Sequence, residues 1–99
     1  MNKKDLIKKI EIKYFDLNDW GAILNELQDI ACDNLPQKSV NRFLKASNAD
    51  AQKCEDMDCI LLNGQVFDWR LFDTHGEEII NAFLDYFTQE ELEIIGNKL

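Results

Sequence analysis

The sequence predicts an all-α or mainly α fold, a compact bundle of five or six short helices built as a single domain over residues 1–99. Apolar residues recur at spacings of three and four along most of the chain, and helix-capping residues precede several of these stretches. The chain holds only one proline and four glycines, so it has few turn signals. Because 45% of the residues are hydrophobic, we expect a folded core and not a disordered acidic tail.

The first element, residues 5–15, fits two patterns. Leu6, Ile7, Ile10 and Tyr14 have the spacing of a helical stripe. Ile10 and Tyr14 also alternate, through Ile12, with charged residues as in a strand. We favour the helix and keep the strand as the alternative.

Two more helices are predicted before residue 47. The apolar stripe of residues 20–31 is the clearest in the chain, and residues 16–19 offer good N-cap side chains ahead of it. Pro36 cannot continue that helix but suits the first turn of the next, which residues 36–46 form.

The middle of the chain is predicted as another helix over residues 47–63. The polar cluster at 47–50 would cap its start, and Gly64 would end it, since glycine is favoured just past a helix C-terminus. Residues 65–72 alternate too loosely to define one structure. We expect one short strand or an irregular aromatic segment there.

Two capping boxes mark the last two helices. Thr74 with Glu77 predicts a helix that ends near Phe87, and Thr88 with Glu91 predicts the final helix. No internal repeat or low-complexity linker interrupts this pattern.

The net charge of −8 is unevenly distributed. Residues 1–15 carry five lysines against two acids, whereas residues 46–97 carry one lysine and one arginine against twelve acids. Such an acidic half repels phosphate, so we expect no direct binding of nucleic acid except by the short basic N-terminus. It would attract a cationic protein and speed the encounter. Solubility alone is the simpler explanation of the same charge.

The compartment follows from what the sequence lacks. It has no apolar signal-peptide region after Met1 and no apolar run of the length that spans a membrane. Its three cysteines, an odd number, suit reduced thiols. We therefore expect a cytoplasmic protein with no membrane partner.

Cys54 and Cys59 bracket three acids and raise the question of a metal site. Zinc sites join such a pair to a second pair of ligands, and only one other cysteine and one histidine are present. On a helix the two cysteines would point about 140° apart. Cys54 would then share a buried stripe with Met57 and Leu61. We expect a core role and neither metal nor cofactor.

The acids between the cysteines suit no catalytic or calcium motif. Glu55, Asp56 and Asp58 lack the glycine that an EF-hand loop requires, so they are expected to form a solvated face. His75 is the only histidine, and no nucleophile elbow or phosphate-binding loop accompanies it. We therefore predict no catalytic residue and no enzyme activity.

The segment FDWRLFD, residues 67–73, interleaves aromatic and charged side chains. If it is extended, Phe67, Trp69 and Leu71 share one face. One of its two faces must then be partly exposed. Trp69 is the aromatic anchor that we expect in a protein interface, where tryptophan is enriched among the residues that dominate affinity.

A small acidic helical domain without a catalytic motif resembles the cytoplasmic immunity proteins that protect bacteria from their own toxins, of the contact-dependent inhibition or bacteriocin type. The acidic clusters at residues 55–58, 68–69 and 73–78 carry the resemblance. Over the rest of the chain, the resemblance is one of size and charge only. It implies a one-to-one inhibitor of a cationic toxin, often a nuclease, whose basic side chains would bind carboxylates in place of phosphates. The partner-binding residues that it implies are Glu55, Asp56, Asp58, Asp68, Trp69, Asp73, Glu77 and Glu78.

Two other functions are compatible with the sequence. A nucleic-acid mimic that inhibits a defence nuclease would have the same acidity, and its genomic neighbours would distinguish it. A regulatory adaptor domain would bind through an apolar groove, and its affinity would depend little on salt.

Overall fold

A computed structural model describes residues 2–14, 20–54, 59–68 and 76–99, and these ranges form five helices and one two-stranded hairpin. The mainly α class is therefore confirmed, with more β structure than one short strand. None of the helices in these ranges combines the length and the apolar character needed to cross a membrane. In chain order the elements are α1 (Lys3–Lys13), α2 (Trp20–Asn34), α3 (Gln37–Lys53), β1 (Cys59–Leu62), β2 (Gln65–Asp68), α4 (Gly76–Leu84) and α5 (Gln89–Asn97).

Helix α1 decides between the two patterns at residues 5–15 in favour of the helix. The Asn2 side chain caps it by accepting a hydrogen bond from the Asp5 amide at 2.8 Å. The predicted helical stripe is buried, whereas Ile12, which only the strand pattern would use, is 74% exposed. The strand alternative is wrong because the apolar side chains that reach the core repeat every three to four residues.

Helix α2 confirms the clearest stripe of the sequence. Ile23, Leu27 and Ala31 are buried, and the helix ends at Asn34, whose side-chain amide donates to the Ile30 carbonyl at 2.8 Å. The predicted cap residues 16–19 and the side chain of Trp20 lie outside the described residues.

Helix α3 corrects the predicted break at residues 47–50. The helix begins after Pro36 and continues without interruption to Lys53. Asp50, predicted as part of an N-cap, is instead buried inside the helix and accepts hydrogen bonds from a distant tyrosine and a turn amide. Because these distant donors bind its side chain, Asp50 does not compete for the backbone N–H groups of its own helix.

The hairpin β1–β2 corrects the predicted helix over residues 47–63. Strand β1 lies where that helix was expected to finish, and β2 confirms a strand at the start of residues 65–72. Asn63 and Gly64 both have left-handed φ values, +48° and +83°. Two such residues form the tight turn that matches the twist of an antiparallel pair. Gly64 is therefore a turn residue and not a helix terminator.

The predicted start of α5 is confirmed, whereas the predicted end of α4 is not. Helix α4 ends at Leu84, short of the predicted Phe87, and a turn leads to α5. The capping box of Thr88 and Glu91 is present in full. The first predicted box depends on Thr74, which lies outside the described residues.

The core has a large cluster shared by the five helices and a smaller one beneath the hairpin. Phe43 lies at the centre of the large cluster, with ring centroids 5.7 Å from Phe83, 5.4 Å from Tyr86 and 4.9 Å from Phe87. The smaller cluster consists of Leu62, Ile79 and Ala82, and half-buried Ile60 and Phe67 pack against it. The hairpin is thus fixed to the bundle by its own apolar face.

Candidate partner-binding surface

The register of the hairpin shows that two acidic segments of the sequence, residues 55–58 and 68–78, are joined to the same end of it. Cys59 pairs with Asp68 at the end of the hairpin opposite the turn. The chain enters β1 from residues 55–58 and leaves β2 into residues 69–75. Because antiparallel strands begin and end side by side, both segments are joined to the same end of the hairpin.

Three of the eight predicted partner-binding residues lie in described elements. Asp68 ends β2 and is half-buried, and Glu77 and Glu78 are exposed in the first turn of α4, a helix that packs against β1. The other five, with His75, lie outside the described residues, and they are Glu55, Asp56, Asp58, Trp69 and Asp73.

The two segments joined to this end of the hairpin carry most of the net charge of the sequence. Residues 55–58 and 68–78 hold one arginine against seven acids, a net of −6 in a chain whose net charge is −8. Acids in the first turn of a helix also interact favourably with its dipole. Glu77 and Glu78 therefore serve the helix whether or not a partner binds them.

A buried hydrogen-bond network fixes the turn of the hairpin to the bundle. The Asp50 carboxylate accepts hydrogen bonds from the Tyr86 hydroxyl at 2.5 Å and from the Asn63 amide at 3.0 Å. The same amide also lies 2.9 Å from the Tyr86 oxygen. Burial and the hydrogen bond to Asp50 raise the pKa of Tyr86 to about 12. The phenol therefore keeps its proton and donates a hydrogen bond to the Asp50 side chain.

The two faces of the hairpin differ in exposure. Ile60 and Phe67 pair across the strands and face the core, whereas Leu61 pairs with Val66 on the other face, where Val66 is 64% exposed. A groove of about 340 Å³ lies between α3 and β1. It is lined by Ser47, Ala51, Cys54, Cys59, Ile60, Leu61 and Leu62.

The two cysteines of this groove are placed differently from the prediction. Cys54 follows the last residue of α3 and Cys59 begins β1, and their sulfur atoms lie only 3.5 Å apart. The expectation that they point apart on one helix, in a stripe with Leu61, is wrong because β1 replaces the helix. Met57 lies outside the described residues. Within the described part of the chain, no group of three or more potential metal-binding side chains comes together.

The lysines of α1 bind the chain's own C-terminal helices. Lys3 forms an ion pair with Asp85. Lys9 donates to the Gly96 carbonyl at 2.6 Å, and Lys13 donates to the terminal residue Leu99 at 3.4 Å. A cation at the C-terminal end of a helix compensates the partial negative charge of its last carbonyls. Three of the five lysines of the basic N-terminus are thus used within the fold, which leaves less of that basic charge for phosphate.

A second acidic stripe lies on α2. Glu26, Asp29 and Asp33 are all exposed and follow each other at spacings of three and four. Burial raises the pKa of the Cys32 thiol, and the nearby carboxylates of Asp29 and Asp33 raise it further. These three acids were not among the predicted partner-binding residues. They therefore provide a control surface with the same number of acids as Glu55, Asp56 and Asp58.

Comparison with protein-family models, with curated proteins and with solved structures finds no match to this chain.

Proposed function

We propose that this domain is a protein inhibitor of the immunity type, which binds and neutralises a cationic partner through the acidic end of its hairpin. The observation that carries the proposal is the pairing of Cys59 with Asp68, because it joins both acidic segments to one end of a fixed hairpin. A helix start with two exposed acids, α4, packs beside the same hairpin.

The proposed mechanism is the replacement of phosphate by carboxylate. A toxin that cleaves nucleic acid lines its active site with lysine and arginine, and carboxylates form charge-assisted hydrogen bonds with both. Long-range attraction would bring the partners together quickly. Trp69 would then supply the desolvated centre of the interface. The proposed place of action is the cytoplasm, where thiols remain reduced.

The kinetics of binding to the purified toxin domain test this mechanism. Changing Glu55, Asp56 and Asp58 together to lysine should slow association severalfold at low salt, because electrostatic steering acts on the association rate. The effect should fade as salt shortens the screening length to about 8–10 Å. The melting temperature of the free protein reports whether the fold is intact.

The α2 stripe provides a matched control. Changing Glu26, Asp29 and Asp33 to lysine alters the net charge by the same amount on another surface. If the acidic end of the hairpin is the binding surface, the control should slow association much less. Equal effects of the two triple variants would show that net charge alone acts, and would refute the proposed surface.

Trp69→Ala separates an interface role from a core role. If Trp69 is an anchor, Trp69→Ala should raise the dissociation rate of the complex and weaken the binding free energy by about 2 kcal/mol or more. As a core residue, its loss should destabilise the free protein by about 3–5 kcal/mol. Chemical denaturation of the free variant and dissociation kinetics of the complex, measured together, distinguish the two.

The groove between α3 and β1 favours the adaptor function as a second candidate. It is mainly apolar, and exposed Val66 lies across the hairpin from its lining residue Leu61. A partner in this groove would bind with little dependence on salt. Val66→Lys would then weaken binding, whereas the triple lysine variant at residues 55–58 would leave it unchanged.

A further inference from the structure

We propose that Cys54 and Cys59 form a reversible intramolecular disulfide, so that the junction of α3 and β1 is a redox-sensitive modification site. This inference is independent of the proposed function, because it needs only the two thiols and the elements that hold them. The sulfur atoms lie 3.5 Å apart, close to van der Waals contact and about 1.5 Å farther than a disulfide bond.

Two well-defined elements hold this pair together. Cys54 caps the C-terminus of α3, with its amide bonded to the Ala51 carbonyl at 3.2 Å. Cys59 is held in β1 by its pairing with Asp68, and β1 packs directly against α3. The sulfurs are therefore neighbours because α3 and β1 pack together, and not merely because the cysteines are five positions apart.

A disulfide requires fewer side chains than a metal site does. Stable zinc sites use four ligands, and the described residues bring together no group of three or more histidine, cysteine or acidic side chains. A disulfide needs only the two sulfurs. Both cysteines are half-buried, and both line the groove between α3 and β1. A small disulfide reagent can therefore approach them from the groove.

The chemistry is thiol–disulfide exchange with a low-molecular-weight disulfide as the oxidant. One cysteine thiolate attacks the reagent and releases one thiolate, which leaves a mixed disulfide on the protein. The second cysteine thiolate attacks the protein-bound sulfur and releases the other reagent thiolate. The protein loses two protons and two electrons, the reagent disulfide gains them as two thiols, and one sulfur–sulfur bond replaces another.

Cys32 is the internal control that the chain itself provides. It lies on α2, and burial together with the nearby carboxylates of Asp29 and Asp33 raises the pKa of its thiol. A thiol with a raised pKa is less often the thiolate that reacts. Cys32 should therefore remain a thiol under conditions that oxidise the other two.

In the experiment, the native protein is equilibrated in buffers with an increasing ratio of oxidised to reduced glutathione. The samples are then quenched with acid and analysed by peptide mass mapping. Cleavage after Lys53 and Arg70 releases both cysteines in one peptide, residues 54–70. We expect this peptide to become lighter by two hydrogen atoms, while Cys32 stays reduced. Cleavage after Glu55 should then leave its two parts joined until a reductant is added.

The same titration in concentrated urea tests whether the fold promotes the bond. If the fold holds the sulfurs together, native protein should oxidise at a ratio of oxidised to reduced glutathione at least about tenfold lower than the unfolded chain does. Cys32→Ser should behave as wild type, and Cys54→Ser and Cys59→Ser should accumulate only mixed disulfides with glutathione. Equal or easier oxidation of the unfolded chain would overturn the proposal. So would a preference for pairs that include Cys32, or stoichiometric zinc that protects both thiols.

Discussion

Replacing Glu91 by glutamine should destabilise the protein by about 3 kcal/mol at neutral pH, and about half of that difference should be lost at pH 3. Glu91 is only 5% exposed. Its carboxylate accepts a hydrogen bond from the Thr88 amide at 2.7 Å and forms an ion pair with Arg42. Burial raises the pKa of this carboxyl, but hydrogen bonds from Ser39, Thr88 and Arg42 outweigh it and lower the pKa to about 2.

The magnitude follows from linkage between folding and proton binding. A carboxyl whose pKa falls from 4.5 to about 2 on folding contributes about 3 kcal/mol while it is ionised in both states. This stability is fully present above pH 4.5 and is lost as the pH falls towards 2, because the unfolded state takes up the proton first. At pH 3 we expect about 1.5 kcal/mol to remain.

Urea denaturation of wild type and of Glu91→Gln at pH 7 and pH 3 measures this difference directly. Glu90→Gln is the matched control, because Glu90 is exposed one position earlier in the same helix. Its free energy of unfolding should stay within about 0.5 kcal/mol of wild type at both pH values. A loss for Glu91→Gln that is unchanged at pH 3, or one matched by Glu90→Gln, would refute the reasoning.

Three further predictions concern the two tyrosines and the turn of the hairpin. Burial raises the pKa of both tyrosines, that of Tyr86 to about 12, so phenolate absorbance should show Tyr86 still protonated at pH 10 until the protein unfolds. Tyr86→Phe should cost about 2 kcal/mol in urea denaturation, since it removes a hydrogen bond to the buried Asp50 carboxylate, and a neutral result would contradict the network. Gly64→Ala should cost about 1 kcal/mol through the backbone alone, because φ is +83° and, adjoining residues apart, no atom of the described residues lies within 4 Å of the added methyl group. A stabilised Gly64→Ala variant would contradict the left-handed turn.

The parts of the fold that the sequence predicted are those governed by local chemistry. The buried stripes of α1 and α2 and the capping box of α5 depend on residues within a few positions of each other. Spacing and capping rules act over that range. They therefore gave the right helices at both ends of the chain.

The middle of the chain was mispredicted because one local signal was given the wrong meaning. Asn63-Gly64 after three apolar residues is the strongest short hairpin signal, yet Gly64 was interpreted as the end of a helix. Placing a strand at 59–62 would have removed the argument that Cys54 and Cys59 face apart. The Asn63-Gly64 pair therefore indicates the hairpin more strongly than Gly64 alone indicates a helix end.

The buried polar residues of the fold could not be predicted from spacing. Asp50 meets Tyr86 from 36 positions away, and Arg42 meets Glu91 from 49 positions away. Such pairs depend on how α3 packs against the C-terminal helices. The capping box identifies Glu91, but no pattern within one helix shows that Arg42 reaches it or that Asp50 is buried.

The most direct test of the account is inhibition of the protein encoded beside this gene. If the chain is an immunity-type inhibitor, the neighbouring reading frame should end in a basic domain that is toxic when expressed alone. Co-expression of this chain should restore growth, and the purified chain should abolish the domain's activity at one molecule per molecule. Growth should not be restored by the variant with lysines at 55, 56 and 58, whereas the α2 triple variant should protect. A basic neighbouring domain that binds neither the wild-type chain nor the α2 variant, or no such neighbour at all, would contradict the account.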